Sequence, residues 1–72
     1  MSTRYYSVII SHMDKLENIR KKQFLTQREL AAGSGLSTST INRLEKGLQT
    51  PTFKTIKALA KALKVEPSEI EF

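Results

Sequence analysis

Apolar residues between positions 14 and 72 recur at helical spacing, in short blocks separated by glycine, proline and hydroxyl residues. Leu16 and Ile19, followed a turn later by Gln23 and Phe24, predict a first helix over residues 14–23, with Asp14 placed to cap it. Thr26 with Glu29 three positions on is a capping box, and Leu30 and Ala31 open an apolar face, so a second, short helix spans residues 27–33. Ser37 offers another N-cap; Ile41, Leu44 and Leu48 follow at spacings of four, three and four, and Gly47 stands where a left-handed C-terminal cap is wanted. Behind Pro51, the positions Phe53, Ile56, Leu59, Ala60 and Leu63 share one face and predict a fourth helix over residues 52–63. "EPSEI" adds one short turn at residues 67–70 that delivers Ile70 and Phe72 to the core. The pattern is that of a compact all-α domain, four helices and a short final turn, and no strand is needed.

The junction between the second and third helices carries more information than a loop requires. Two helices meeting near a right angle need a tight turn, small residues where they touch and apolar anchors on both sides. The stretch "TQRELAAGSGLSTSTINRLEKG" supplies each: Ala31 at the crossing, Gly35 for the positive dihedral, and Leu30, Leu36, Ile41 and Leu44 beneath. Turning the third helix at 100° per residue sends Ser37, Ile41, Leu44 and Leu48 to one side and Thr38, Ser39, Asn42, Arg43 and Lys46 to the other. The outward face is uncharged-polar plus cationic, with Glu45 at its margin. Such a face gives and accepts hydrogen bonds without repelling phosphates, as a helix entering a major groove must.

Charge distribution sharpens this picture. The 72 residues carry a net +5, but positions 20–64 hold ten Lys or Arg against Glu29 and Glu45, a local +8, while the two ends together supply the remaining −3. A basic middle suits a polyanionic partner and equally a solvated lysine surface. Lys54, Lys57, Lys61 and Lys64 form a stripe on the fourth helix that is read as solvated. With no cysteine there is neither disulfide nor thiolate metal site, so the fold depends on its apolar core. The longest apolar run, "VII" at residues 8–10, is far too short to cross a bilayer, and the N-terminus lacks the order of a secretory signal; a cytoplasmic location is expected.

At these residues the chain resembles the phage repressor and Cro type of helix-turn-helix DNA-binding domain, which implies a compact five-helix fold with the final turn as the fifth helix, over about residues 14–70. The markers are "LTQRELA", "GLS" at the turn, "INRLEKG", "PTFKTIKALAKAL" and "VEPSEI". Ser34, where an apolar residue is usual, and Gly33, where a helix former is usual, depart from the pattern and weaken the end of the second helix. The resemblance implies a transcriptional regulator, a repressor, that binds a palindromic operator in double-stranded DNA as a homodimer with the third helix in the major groove. Thr38, Ser39, Asn42 and Arg43 are the candidate base contacts, Arg43 by reach for a bidentate pair with guanine. Gln27, Thr40, Lys46, Gln49 and Thr50 are the candidate phosphate contacts, Gln27 because it opens the second helix. The resemblance also pairs Arg20 with Glu45 as a structural ion pair, with a phosphate role for Arg20 as the alternative.

Other functions find less in the chain. His12 is the sole histidine, and no two carboxylates share a helix face beside a nucleophile, so catalysis, a metal and a cofactor are not expected. No small-molecule effector element is evident. A protein-binding module of the same fold, of the antitoxin or co-activator kind, is the rival; it would tolerate acids and want more apolar residues at positions 38, 42 and 43. The domain is assigned to residues 13–72, with residues 1–12 as an extension or arm. That arm is read in three ways: a strand across a dimer interface, an extension carrying Arg4 to DNA, or sequence upstream of a start at Met13.

Overall fold

The computed structural model describes residues 13–72, so all readings of the N-terminal arm fall outside the described residues. Four α-helices account for more than half of the described residues: α1 (Leu16–Lys22), α2 (Gln27–Ser34), α3 (Thr38–Glu45) and α4 (Phe53–Leu63). The expected fifth helix is only a three-residue 3-10 turn, Pro67–Glu69, because it leads directly into an extended segment. That segment, β2 (Ile70–Glu71), pairs in parallel with β1 (Asp14–Lys15), Asp14 opposite Ile70 and Lys15 opposite Glu71. This strand pairing, which helical periodicity cannot show, ties the last residues of the domain to its first and seats Ile70 at 4% exposure.

The helix boundaries follow from local chemistry. Thr26 Oγ1 accepts the Glu29 N–H at 3.0 Å while Glu29 Oε1 accepts the Thr26 N–H at 2.8 Å, closing the capping box. Ser37 Oγ accepts the Thr40 N–H at 3.0 Å and Thr52 Oγ1 the Thr55 N–H at 3.2 Å, starting α3 and α4. Gly35 ends α2 at φ 77°, and its N–H and that of Leu36 both return to the Ala31 carbonyl. Gly47 does the same for α3 at φ 71°, with the Leu48 N–H reaching the Arg43 carbonyl at 2.9 Å. α1 departs from the expectation: Lys15, not Asp14, is its cap residue. The Asp14 carboxylate instead gathers the Lys15 N–H, the Asn18 amide and the Lys22 ammonium at 2.8, 3.0 and 2.8 Å.

The core is Leu16, Ile19, Leu30, Ala31, Ile41, Leu44, Leu59, Ala60, Leu63 and Ile70, one contiguous cluster drawn from every helix. α2 lies between α3 and α4, and Ala31 is buried on it at 4% exposure. Three apolar residues that periodicity places in the core are outside it, of which Ile56 is half-buried. Leu48 is 71% exposed because the left-handed turn at Gly47 breaks the helical register that would have carried it inward. Phe53 is 79% exposed because it opens α4 at the margin of the buried stripe, where its ring meets the Lys57 ammonium at 5.9 Å instead. Phe72 remains 44% exposed beyond β2, and Phe24, in the turn after α1, is 92% exposed at φ 59°.

A polar network joins α1, α2 and α3 inside this shell. Arg20 Nε donates to Glu45 Oε2 at 2.6 Å and Nη2 to Glu45 Oε1 at 3.0 Å, a two-point pair, while Nη1 donates to the Leu25 carbonyl at 2.8 Å. The Glu45 side chain keeps only 3% of its exposure, and Gln27 Nε2 supplies it a third donor at 2.9 Å. Hydrogen bonding to Glu45 raises the Arg20 pKa against the opposing effect of burial. On the far side, Gln23 Nε2 donates to the Leu63 carbonyl at 2.7 Å and fastens the end of α1 to the end of α4.

Removing one partner of the ion pair strands a buried charge, so Glu45→Ala should cost about 3–5 kcal/mol in urea unfolding; Arg20→Met with Glu45→Leu should cost less than Glu45→Ala alone. The two nearby glycines should respond with opposite signs. A Cβ at Gly33 meets only the Ala62 Cβ, at an ordinary 3.8 Å, so Gly33→Ala should stabilise by about 0.5–1 kcal/mol. Gly35→Ala should destabilise by about 1–2 kcal/mol, because its φ is left-handed. Asp14 is held down to a pKa of about 2, chiefly by the Lys22 hydrogen bond, then by Asn18 and the Lys15 N–H. Since the folded pKa lies below the ordinary 3.8, its contribution is complete above about pH 4 and is lost as pH falls through about 2. An NMR titration of the Asp14 carboxyl should show that midpoint, and Lys22→Met should raise it.

Candidate nucleic-acid interface

The α3 helix divides cleanly into two faces. Ile41 and Leu44 point into the core at 0% and 3% exposure, whereas Thr38, Ser39, Arg43 and Lys46 are exposed and Asn42 is half-buried. Ser37 spends its hydroxyl on capping and on donating to Thr40 Oγ1 at 2.8 Å. Thr38 and Ser39, the next two residues, have hydroxyls without an intramolecular partner among the described residues, so both are free to bond outward at the helix N-terminus.

Electrostatics of this face depend on where Glu45 goes. Its carboxylate is turned inward and bonded by Arg20 and Gln27, leaving the outer surface of α3 without an exposed acid. Arg43 and Lys46 are then its only charges, and Arg28, passed over by pattern reading, is a further exposed cation in the first turn of α2. No ion pair among the described residues neutralises any of the three.

Several side chains expected to meet phosphate are engaged within the molecule. The Gln27 amide donates to Glu45, and its oxygen receives a long contact from Asn42 Nδ2 at 3.5 Å. One of the two Nε2 hydrogens is thereby committed to Glu45, leaving the other as the side chain's remaining donor for a phosphate, while the place of Gln27 at the start of α2 is as expected. Thr40 is half-buried, and its oxygen accepts from Ser37 and, at 3.4 Å, from Arg43 Nη2. Gln49 and Thr50 are exposed in the loop after α3, but Gln49 Oε1 accepts the Arg43 Nε–H at 2.8 Å. That last link joins residues six apart across a left-handed turn, and only the glycine at 47 hints in the sequence that the chain folds back there.

The other surfaces offer less chemistry. Lys54, Lys57, Lys61 and Lys64 are exposed along α4 without an acid among them. An open groove of about 340 Å³ runs between the start of α1 and the end of α3, lined by Lys15, Glu17, Glu45 and Lys46 among others. Among the described residues no group of His, Asp or Glu is placed to hold a metal ion, and no helix is long and apolar enough to cross a membrane.

Comparison with known proteins agrees with this geometry. A family model described as helix-turn-helix matches residues 16–70. The HTH-type transcriptional regulator RghRB of Bacillus subtilis strain 168 is 44% identical over 52 residues, which are 71% of this chain and 37% of that relative. This chain thus spans little more than a third of RghRB. The restriction-modification controller protein C.AhdI from Aeromonas hydrophila superposes with a TM-score of 0.74 at 37% identity, covering 75% of this chain and 82% of that one. The P22 c2 repressor, solved with the synthetic operator 9T, superposes at 0.69 with 31% identity, covering 72% and 79%. With the family model matched over residues 16–70 and these folds superposing on the same helices and turn-bearing span of the chain, the chain belongs to the helix-turn-helix family of the phage repressor and Cro type.

Proposed function

We propose that this protein is a transcriptional repressor that binds operator DNA as a homodimer, each subunit placing α3 in the major groove. The observation that carries this reading is the outer face of α3: free hydroxyls at its N-terminus, a long guanidinium one turn on, and its one acid withdrawn into the core. Thr38, Ser39 and Arg43 read base edges, with Asn42 more restricted by its burial and its contact with Gln27. Lys46, Thr50 and the N-terminus of α2 at Gln27 set the register on phosphates, with Thr40 and the amide of Gln49 beside them. The sign of the field agrees, since exposed cations dominate positions 20–64. Repression follows from occupancy of promoter DNA.

Selection of binding sites from random duplexes tests this directly. A palindromic consensus is expected, with half-sites one helical turn apart, about 34–36 Å on one duplex face. Arg43→Ala should abolish preference at one base pair per half-site, a loss of about 1–3 kcal/mol there, with non-specific binding nearly intact. Affinity should fall with salt, log K dropping by about 0.9 per phosphate contacted for each tenfold rise. Failure to enrich any sequence, together with salt-independent binding to a protein partner, would instead make α3 a protein-docking face.

A further inference from the structure

We infer that Gln49 is a positioning residue for base readout, holding the Arg43 guanidinium so that only its end-on edge faces the DNA. The inference rests on the reading of α3 as the recognition helix and adds a specificity determinant outside it. A guanidinium can address guanine through two edges, side-on with Nε and Nη2 or end-on with Nη1 and Nη2. Here the side-on edge is taken: Nε donates to Gln49 Oε1 at 2.8 Å and Nη2 to Thr40 Oγ1 at 3.4 Å. The outward hydrogens of Nη1 and Nη2 are left as the available fork.

The backbone explains why residue 49 is the partner. Gly47 at φ 71° and the bond from the Leu48 N–H to the Arg43 carbonyl at 2.9 Å fold the loop back over the last turn of α3. Gln49 is thereby brought beside Arg43 while Leu48 is thrown outward. A carboxamide suits this position, because its oxygen accepts from the cation without adding a charge that phosphates would repel, and its N–H groups stay free for a phosphate. In the free protein both side chains are exposed and water competes for the bond. In a groove that competitor is excluded and the bond strengthens. Holding a long, rotamer-rich side chain in advance lowers the ordering needed on binding.

The test is a base-discrimination profile of the full chain on the selected duplex and on duplexes changed one base pair at a time, for wild type, Q49A, Q49E, R43A and R43A/Q49A. Q49A should reduce discrimination at the Arg43 base pair by about three- to tenfold, the range of one hydrogen bond, and leave other positions unchanged. R43A/Q49A should discriminate there no worse than R43A alone. Q49E, which keeps the acceptor, should retain discrimination at that pair while binding all duplexes more weakly. In free-protein NMR the Arg43 Nε–H should exchange more slowly in wild type and Q49E than in Q49A. Equal weakening of all duplexes by Q49A with discrimination at the Arg43 base pair unchanged, or additive losses of discrimination in the double variant, would make Gln49 act independently of Arg43 and overturn the inference. If wild type binds no duplex, the recognition-helix reading fails, and the Nε–H signal alone then reports whether Gln49 still holds Arg43.

Discussion

The two-point bond between Arg20 and Glu45 governs more of this molecule than its size suggests. It crosslinks α1 to α3, and with Gln27 it brings α2 into the same joint. Its net contribution to stability is small, since desolvating both charges offsets most of their attraction. Its consequence for function is larger. An exposed carboxylate on a helix that offers hydroxyls and cations would repel a polyanion's phosphates, and the Glu45 carboxylate, belonging to the last residue of that helix, is turned away from solvent. Fold geometry and surface charge are thus set by one pair of side chains.

Around that joint, the backbone is placed by punctuation. Hydroxyl caps at Thr26, Ser37 and Thr52 start three helices, and left-handed glycines at 35 and 47 stop two of them. The first glycine sets the angle at which α3 leaves α2, and so aims the exposed face. The second folds the following loop back onto α3, which is how an uncharged loop residue comes to touch the exposed arginine of that helix. Function here is a matter of aim, and both glycines supply it.

Much of this is legible in the sequence because caps, glycines and i, i+3, i+4 spacing act over four or five residues. The starts of α2, α3 and α4, the two left-handed turns and the inward side of α3 all follow from such local rules. Where the chain leaves a helix, extrapolation fails: periodicity sends Leu48 inward by continuing a register that Gly47 ends, and Phe53 by extending a stripe to its first turn. Contacts between distant positions leave no periodic trace. Pairing of β1 with β2, the third bond to Glu45 from Gln27 and the fastening of Gln23 to Leu63 each join segments that only the folded chain brings together. Family resemblance alone places Arg20 opposite Glu45, since nothing in a spacing of 25 residues would do so.

Chemical interference on the selected duplex addresses the central claim, that the outer side of α3 lies among major-groove base edges. Guanines methylated at N7 block the major groove, and adenines methylated at N3 block the minor groove. The account predicts that N7 methylation abolishes binding in two patches about one helical turn apart on one side of the duplex, with N3 methylation tolerated there. Interference confined to adenine N3, or binding indifferent to both, would contradict it.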